Sequence, residues 1–439
     1  MSLLLTGRPG KGFRETAFFQ PRSVWLRADP ELPESEVLAR NLAAGGFQGR
    51  LMGEGFAALE GAPDLAILCV LPEVQAAELA RIAAGGCFAV VVPNAAPGLA
   101  AMAAQAGVQA LGERSFGLAL PAMGLNATLS HLPIRPGKLA LMAQSSAIAR
   151  AVIDWASAEG LGFSHIIGIG ANDGLGFAAG LDWLARDTGT ACVMLDLRRI
   201  KQRRFFVSAA RAVARTRPVL ALRAGGRMDD PSGIADGVMA AVLRRAGVLR
   251  AEGFEEWLAA AETLARAKPR GGAGQADRIA IIANGLGVAR LAADAALGHG
   301  LRLAEFTPAT IAALGPLMPG GLEARNPLSL GSRAGAGLAQ AAKLLAGAGE
   351  VDVVIALHAP EQEAAPIEAF AAAARGNRGA PILLGWTGEA SAHAERAALT
   401  GAGLPVFHTP EAVVRGAAHL AAERRNRATA AELPASDVL

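Results

Sequence analysis

The sequence predicts an α/β protein with three parallel-sheet domains in tandem. Short apolar runs such as "KLALM", "HIIGI" and "ACVML" alternate with amphipathic stretches, the pattern of βαβ units. This alternation recurs in three series, and the glycine- and charge-rich stretch "RAKPRGGAGQAD" separates the second series from the third. The chain has 439 residues, of which 52% are hydrophobic, enough to fill two or three such cores.

The strand-like runs set the expected domain boundaries. We predict an N-terminal extension (residues 1–15), a first domain (16–130), a second (136–266), a linker (267–277), a third domain (278–425) and a tail (426–439). The prediction of the first domain depends on runs such as "SVWLRA" and "DLAILCVLP", and that of the third on "RIAIIANGLG" and "VDVVIALHA". In parallel sheets of this kind, ligands bind at the carboxyl ends of the strands.

Composition excludes several classes of function. The 42 Lys and Arg nearly balance the 39 Asp and Glu, so clusters such as "RRIKQRR" indicate solvated faces rather than a nucleic-acid partner. The chain has no tyrosine and only 5% aromatic residues, which disfavours base-stacking surfaces. Its three cysteines lie far apart and predict buried, reduced thiols, with no metal site. Without a long apolar run, we expect a cytoplasmic protein that does not contact a membrane.

Two glycine- or serine-containing turns are candidate anion sites. Gln144, Ser145 and Ser146 lie between a predicted strand and a predicted helix. There they either cap the helix or leave backbone N–H groups free for a phosphate. The loop "GIGANDGLG" follows the next strand, and Gly170 and Asn172 in it either contact a ligand or only form a turn. The spacing leaves both alternatives open.

A third turn, "RAGGRMDDPSGIADG" from Arg223 to Gly237, also joins a strand to a helix. Such a place suits phosphate chemistry, yet this turn contains no histidine, cysteine or lysine. The seven histidines lie apart in the sequence, and for each of them a structural role is favoured over a catalytic one.

The order of the pieces resembles a known family. "PDLAILCVLP", "PGKLALMAQSSAIARAVIDWASAEG", "RPVLALRAGGR", "DRIAIIANGLG" and "PVFHTPEAVVRGAAHL" follow one another as in the α-type body of the NDP-forming acyl-CoA synthetase superfamily. The resemblance covers residues 16 to 425 and includes ADP-forming acetyl-CoA synthetases and, more distantly, the α subunit of succinyl-CoA synthetase. It implies a Rossmann-like CoA-binding domain followed by two flavodoxin-like, succinyl-CoA-ligase-like domains.

The resemblance also implies a chemistry. In the family, CoA binds the first domain, an acyl phosphate forms, and a histidine carries the phosphoryl group to an ATP-grasp domain that is either fused or separate. The candidate CoA-binding residues of the first domain are Arg27, Leu71, Pro72, Arg114 and Ser115, among which the charges of Arg27 and Arg114 would replace the backbone N–H contacts of the family's glycine-rich loop. The residues implied for the phosphate site are Gln144, Ser145, Ser146, Gly170 and Asn172.

The family's catalytic residues are replaced here. Met228 or, with a small gap, Pro231 stands at the histidine, and Arg198 stands at the glutamate that assists it. Neither methionine nor proline can carry a phosphoryl group. We therefore expect no catalytic residue in this chain. Other replacements fall on the CoA and phosphate loops and the third domain: Glu113, Arg114, Ser146, Ala171 and Ser329.

Three functions remain open. The first is a catalytically impaired acyl-CoA-synthetase-like protein that binds CoA, an acyl-CoA or a protein partner as a regulatory or accessory subunit. The second is a working α-type subunit of an ADP-forming acetate–CoA ligase that needs a separate ATP-grasp subunit. The third is an interaction module that kept only the fold. We expect no nucleotide site in this chain, and a homo- or hetero-oligomer.

Overall fold

The computed structural model describes residues 15–268, 277–321, 323–332, 334–362 and 365–431. These residues form two compact units: one contains residues 15–257 and 429–431, and the other contains residues 258–428. The predicted N-terminal extension except Glu15, most of the predicted linker, and residues 432–439 of the predicted tail lie outside the described residues.

The first sheet has five parallel strands in the order β2-β1-β3-β4-β5. Its strands are β1 (Ser23–Ala28), β2 (Arg50–Gly53), β3 (Leu65–Cys69), β4 (Ala89–Val92) and β5 (Gln109–Gly112). The helices are α1 (Glu15–Phe19), α2 (Pro33–Gly45), α3 (Gln75–Ala84) and α4 (Leu99–Ala106). All residues of β3 and β4 are buried, as expected for parallel strands covered on both faces.

The second sheet has seven strands in the order β12-β11-β10-β8-β9-β6-β7. They are β6 (Gly117–Leu120), β7 (Leu125–Thr128), β8 (Pro136–Ala143), β9 (Phe163–Gly168), β10 (Cys192–Asp196), β11 (Val219–Leu222) and β12 (Leu249–Ala251). The helices are α5 (Ser146–Ala158), α6 (Phe177–Arg186), α7 (Arg203–Ala214), α8 (Gly226–Asp229), α9 (Ile234–Arg245) and α10 (Phe254–Arg266).

The position of the hairpin of β6 and β7 differs from the predicted domain organisation. Its residues fall within the predicted first domain, but β6 pairs antiparallel with β9 and so extends the second sheet. The turn of the hairpin requires a left-handed residue, and Gly124 supplies it with φ 72°. Apolar side chains of both sheets, including Leu26 and Leu195, belong to one continuous core.

The third sheet is entirely parallel, with the order β14-β13-β16-β17-β18 and with β15 paired to β13. Its strands are β13 (Arg278–Ala283), β14 (Arg302–Leu303), β15 (Leu328–Ser329), β16 (Val353–His358), β17 (Ile382–Trp386) and β18 (Val406–Phe407). The helices are α11 (Leu286–Gly298), α12 (Pro308–Leu314), α13 (Ala336–Gly347), α14 (Ile367–Ala374), α15 (Ala392–Gly401) and α16 (Pro410–Ala431).

Helix α16 continues into the predicted tail, so residues 426–431 are helical. The guanidinium groups of Arg211 and Arg215 on α7 donate hydrogen bonds of 3.0 and 3.1 Å to the carbonyl oxygen of Ala430. These arginines satisfy a carbonyl at the end of the helix that would otherwise have no intrahelical partner.

The three sheets with alternating helices confirm the predicted α/β fold class. Cys69, Cys87 and Cys192 are buried free thiols, as predicted. Within the described part of the chain, no helix is both long and apolar enough to cross a bilayer. The same residues contain no group of three or more His, Cys, Asp or Glu side chains arranged to hold a metal ion.

Candidate functional site

Most of the candidate phosphate residues lie at one edge of the second sheet. Strands β8, β9, β10 and β11 are parallel, so the loops that follow them meet at the carboxyl edge. The loop after β8 carries Gln144, Ser145 and Ser146, and the loop after β9 carries Gly170 and Asn172. The fold therefore gathers the turns that the sequence singled out.

Two backbone N–H groups of the first turn, those of Gln144 and Ser145, are already occupied. The buried carboxylate of Asp196, at the end of β10, accepts hydrogen bonds from the N–H groups of Gln144 (3.1 Å) and Ser145 (2.7 Å) through Oδ2. The Ser145 hydroxyl caps α5 by accepting a 3.4 Å hydrogen bond from the N–H of Ile148. A carboxylate of the chain thus binds where a phosphate oxygen would need these donors.

Burying the carboxylate of Asp196 costs free energy. Its other oxygen, Oδ1, is buried and has no hydrogen-bond partner among the described residues. Burial raises the pKa of Asp196, while the N–H of Ser145 and the positive charge of Arg198 act in the opposite direction. Only one of the two carboxylate oxygens of Asp196 therefore accepts hydrogen bonds from the described residues.

Gln144 fixes the geometry of three loops. Its side-chain Oε1 accepts hydrogen bonds from the N–H groups of Arg198 (2.7 Å) and Arg199 (2.9 Å), and its Nε2 donates to the carbonyl of Gly170 (3.1 Å). Gln144 is buried, whereas the side chains of Arg198 and Arg199 are exposed. Gln144 thus orders the turn, and Arg198 adds positive charge at the rim rather than the carboxylate that the family places there. Ser146 begins α5 and is half-buried.

The loop at Asn172 is a close-packed turn. Asn172 has φ 62°, in the left-handed region, and its Nδ2 donates to the carbonyl of Arg199 (3.2 Å). Gly170 also has a positive φ, and a Cβ there would lie 2.4 Å from the carbonyl oxygen of Glu113. The backbone conformation therefore accounts for the glycine and the asparagine without a ligand.

Ser115 joins this edge from the preceding loop, but its side chain is not available. The buried hydroxyl donates to the carbonyl of Gly168 (2.5 Å) and accepts from the N–H of Gly117 (2.9 Å). Its neighbours Glu113 and Arg114 both have positive φ, at 53° and 63°. Two successive non-glycine residues in this region are strained, and Arg114 is left exposed beside the turn.

The turn that replaces the family's histidine is capped by its own carboxylate. The Asp230 side chain accepts a 2.6 Å hydrogen bond from the N–H of Ala235 in the first turn of α9 and a 2.5 Å hydrogen bond from the hydroxyl of Ser232. Both hydrogen bonds lower the pKa of Asp230, and the one from the Ser232 hydroxyl has the larger effect. Met228, on the one-turn helix α8, is 81% exposed, and Pro231 is exposed beside it.

A half-buried group of ion pairs fixes the base of this turn. Asp236 on α9 accepts from Arg223 (2.5 Å) and from Arg250 (2.7 Å). The hydrogen bond from Arg250, followed by the positive charges of both arginines, lowers the pKa of Asp236. Arg223 therefore binds the protein's own carboxylate and is not free for a ligand.

The candidate CoA residues at the first sheet are partly occupied as well. The guanidinium group of Arg27 lies 2.6 Å from a carboxylate oxygen of Glu54. The turn that follows β1 is closed by hydrogen bonds from the Glu31 N–H to the Asp29 side chain (3.1 Å) and from Ser35 to the Asp29 carbonyl (2.6 Å). Two further acidic residues, Glu34 and Glu36, lie in the first turn of α2. A diphosphate at this helix N-terminus would face several carboxylates.

The remaining candidates lie along the same edge. Leu71 and Pro72 follow β3, directly beside β1, and lead through a short 3-10 turn into α3. Arg114 follows β5, three strand spacings from β1, which amounts to about 14 Å. Arg114 thus lies close to the loop of Asn172 rather than beside Arg27.

The third sheet contains a glycine turn of the same kind. Gly285 precedes α11, a helix of 13 residues, and no side chain caps its N-terminus. Asn284 accepts from the N–H of Ala359 (2.9 Å), and its Nδ2 donates to the Ala359 carbonyl and to Glu361, each at 2.7 Å. Ser329, where the family has an acid, ends the short strand β15.

Sequence reasoning missed Asp196 and the hydrogen bond that Asp230 accepts from the first turn of α9. A signal for Asp196 existed, because a charged residue inside the apolar run "CVMLDL" must find buried partners. Which N–H groups it meets depends on the pairing of β10 with β8, which aligns Asp196 with Ala143.

Comparison with known proteins agrees with this architecture. Residues 136–264 match the family described as succinyl-CoA ligase like flavodoxin domain. The chain is 28% identical over 327 residues to "Acetate--CoA ligase [ADP-forming] I" of Archaeoglobus fulgidus, covering 72% of this chain but only 46% of that protein. It is 27% identical over 398 residues to "Acetate--CoA ligase [ADP-forming] II subunit alpha" of Pyrococcus furiosus, covering 84% of this chain and 85% of that subunit.

A solved structure shares the fold. The apo form of the dinucleotide-forming acetyl-coenzyme A synthetase 1 of Ca. Korarchaeum cryptofilum superposes with a TM-score of 0.85 at 20% identity, over 94% of this chain and 98% of that chain. The chain therefore spans about half the length of the Archaeoglobus fulgidus protein. It matches 85% of the Pyrococcus furiosus α subunit and 98% of the chain in the solved structure. These comparisons support the resemblance of the chain to the α-type body of the NDP-forming acyl-CoA synthetase superfamily.

Proposed function

We propose that this protein is an acyl-CoA-synthetase-like protein impaired in phosphoryl transfer, acting as a regulatory or accessory subunit that binds CoA, an acyl-CoA or a protein partner. One observation carries the proposal: the chain's own carboxylates occupy backbone N–H groups at two of its candidate phosphate sites. Asp196 accepts from Gln144 and Ser145, and Asp230 accepts from Ala235 at the start of α9. A second anion at either place would meet like charge instead of free donors.

The turn at Met228 supports the same proposal. A nucleophile is needed to carry a phosphoryl group, and the turn from Met228 to Pro231 contains only methionine, two aspartates and proline. The helper position carries Arg198, whose cation cannot accept a proton from a histidine.

The proposed partner role rests on an exposed apolar strip. Met228, Ile234 and Val238 are 81%, 72% and 60% exposed, and Ile234 and Val238 lie one turn apart on α9. Adjacent exposed apolar side chains are typical of protein interaction sites. The strip lies beside the altered turn, so a partner would cover the place where the family does its phosphoryl chemistry.

The direct test of impairment uses labelled acetyl phosphate. We expect neither the wild-type protein nor Met228→His to acquire an acid-labile, base-stable phosphoryl label, because Asp196, Asp230 and Arg198 remain in place. Labelled histidine in the variant would contradict the idea that these residues block the site. The wild-type protein is the matched control for non-specific labelling.

Calorimetric titration with CoA, acetyl-CoA and a longer acyl-CoA then shows which of these ligands the protein binds. Micromolar binding would support a CoA-binding accessory subunit despite the carboxylates near β1. If none of the three produces heat, the CoA part of the proposal is wrong and a protein partner becomes the remaining ligand.

A second candidate is a working α-type subunit of an ADP-forming acetate–CoA ligase. The similarity to 85% of an α subunit from Pyrococcus furiosus favours it. Such a subunit would need a separate ATP-grasp subunit and a carrier other than histidine. ADP released above a blank from a mixture with that subunit, ATP, CoA and acetate would establish this candidate and overturn the proposed impairment.

A further inference from the structure

A basic cavity lies at the opposite edge of the third sheet from the glycine turn of Gly285. It has a volume of about 500 Å³ and opens where β17 and β18 begin, beside Pro381, Ile382 and Pro405. A volume of this size fits a small organic molecule rather than a single inorganic ion.

Four cationic side chains line this cavity: Arg266, Lys268, Arg375 and Arg378. No carboxylate is present among the described residues that line it. Ala267, Ala374, Ile382 and Leu404 supply an apolar part of the wall. The lining therefore combines a concentrated positive charge with apolar surface.

Arg266 is a fixed part of the wall. Its side chain is 9% exposed, its Nη1 donates a 2.8 Å hydrogen bond to the carbonyl of Thr400, and its Nε lies 3.8 Å from Glu262. Because this guanidinium group is already partly neutralised, it contributes less charge than the other three cations.

The other three cations are not paired within the described residues. Lys268, Arg375 and Arg378 have no carboxylate within ion-pair distance there, and Arg375 and Arg378 are exposed. Asn377, between the two arginines, holds the loop in shape through hydrogen bonds with Gly379 and Ala380 (both 2.9 Å). The loop thus presents two guanidinium groups from a hydrogen-bonded turn.

The helix C-termini at this edge repel an anion, but their partial negative charges are smaller than the positive charge of the cations. The C-termini of α10, α14 and α15 meet the cavity, and each carries roughly half a negative charge. Part of that charge is neutralised, since Thr400 accepts from Arg266 and from Gly403, and Ala371 accepts from Arg375. Even without Arg266, which is paired with Glu262, three cations against three half-charges leave a net positive site.

We propose that this cavity binds an organic phosphate ester with at least two negative charges, at a site separate from the phosphate and CoA edges described above. Guanidinium groups bind phosphate through paired hydrogen bonds, and a doubly charged group can bridge Arg375 and Arg378. The apolar wall holds the organic body of the ligand. This proposal does not depend on the proposed function.

The test titrates the full chain with pyrophosphate, ADP and citrate at constant ionic strength. We expect pyrophosphate and ADP to bind, ADP more tightly because of its organic body, and citrate to bind at least tenfold more weakly. The Arg375→Gln/Arg378→Gln variant should lose at least tenfold in affinity for ADP. Arg244→Gln/Arg245→Gln, with the same change in net charge at exposed positions on α9, should bind as the wild type does.

Three results would overturn the proposal. These are no binding of pyrophosphate and ADP by the wild type, equal binding of citrate, and unchanged affinity in the Arg375→Gln/Arg378→Gln variant. Equal melting temperatures of the two double variants would show that a lost affinity reflects the cavity and not misfolding. Binding that persists in Met228→His and fails in the cavity variant would separate this site from the candidate phosphoryl site.

Discussion

Asp196 shows how one side chain determines what a turn can bind. Its carboxylate accepts from the N–H groups of Gln144 and Ser145, although it lies 52 and 51 residues away from them in sequence. The same donors at a free helix N-terminus would attract an external anion. A single carboxylate at the end of a strand therefore occupies two donors that would otherwise be open to an external anion.

Removing that carboxylate should reopen the site. In Asp196→Ser, the two N–H groups lose their acceptor, and we expect inorganic phosphate to bind in its place. At ten times its dissociation constant, phosphate would stabilise the variant by about 1.4 kcal/mol and raise its melting temperature by about 3 °C. Thermal unfolding with and without phosphate measures this.

Asp173→Ser is the matched control for that experiment. Asp173 lies at the same edge and pairs with Lys201, so its removal changes the charge equally while Asp196 stays in place. Phosphate should not stabilise the control or the wild type. A similar gain in all three proteins would mean that Asp196 does not block the site.

His165 predicts a pH dependence of stability. Burial lowers its pKa below the 6.5 of an exposed imidazole, and its Nε2 accepts a 3.2 Å hydrogen bond from the indole N–H of Trp183. Well above pH 6.5 the imidazole is neutral in both the folded and the unfolded chain. As the pH falls below 6.5, the unfolded chain takes up the proton first, so stability is lost.

The expected readout is the melting temperature at pH 7.5 and pH 5.5. The wild type should lose more stability over this interval than His165→Gln, which cannot titrate. Burial also lowers the pKa of His358, so the variant retains part of the slope. The exposed His131→Gln serves as the control, and a wild-type slope no steeper than that of His165→Gln would refute the prediction.

At the scale of elements, the contact between α2 and the β6–β7 hairpin leaves no room for a larger residue. A Cβ at Gly45, in α2, would lie 2.3 Å from the carbonyl oxygen of Gly124 in the hairpin turn. Asn41 on the same helix donates hydrogen bonds to the carbonyls of Thr128 (2.8 Å) and Ser130 (3.0 Å). These contacts fix the hairpin against a helix of the first sheet.

Two glycine-to-alanine substitutions should therefore have opposite effects. Gly45→Ala should lower the free energy of unfolding by about 1–3 kcal/mol through overpacking. Gly237→Ala, inside α9 with no atom near the new Cβ, should raise it by about 0.5–1 kcal/mol. Urea unfolding of both variants measures the difference, and equal effects would show that the backbone yields at Gly45.

Sequence periodicity predicted the strands of these elements well, but not the partners of the hairpin. The runs that became β8, β9, β10 and β13 were recognisable because buried parallel strands are continuously apolar. The hairpin falls within the bounds predicted for the first domain, residues 16–130, and follows β5 directly in the chain. Its pairing with β9 forms across more than 40 residues, which local patterns do not encode.

At the scale of the whole molecule, the described residues divide into two units, one with two sheets around a shared core and one with the third sheet. The tested lines of similarity concern the body that this chain shares with an α subunit. The candidate phosphoryl site and the basic cavity lie in different units, so variants of one should leave the binding properties of the other unchanged.

The sequence alone determined the class of the fold, the resemblance of the body to a family and the absence of a histidine from the turn at Met228. These properties depend on residue identity and short-range pattern, because short apolar runs that alternate with amphipathic stretches form buried parallel strands. The tertiary structure decided that Asp196 and Asp230 occupy the anion sites, that Ser115 and Arg223 are engaged, and that four cations gather at the far edge of the third sheet. Such contacts join residues distant in sequence, and only the packing of the sheets determines which donors and acceptors meet.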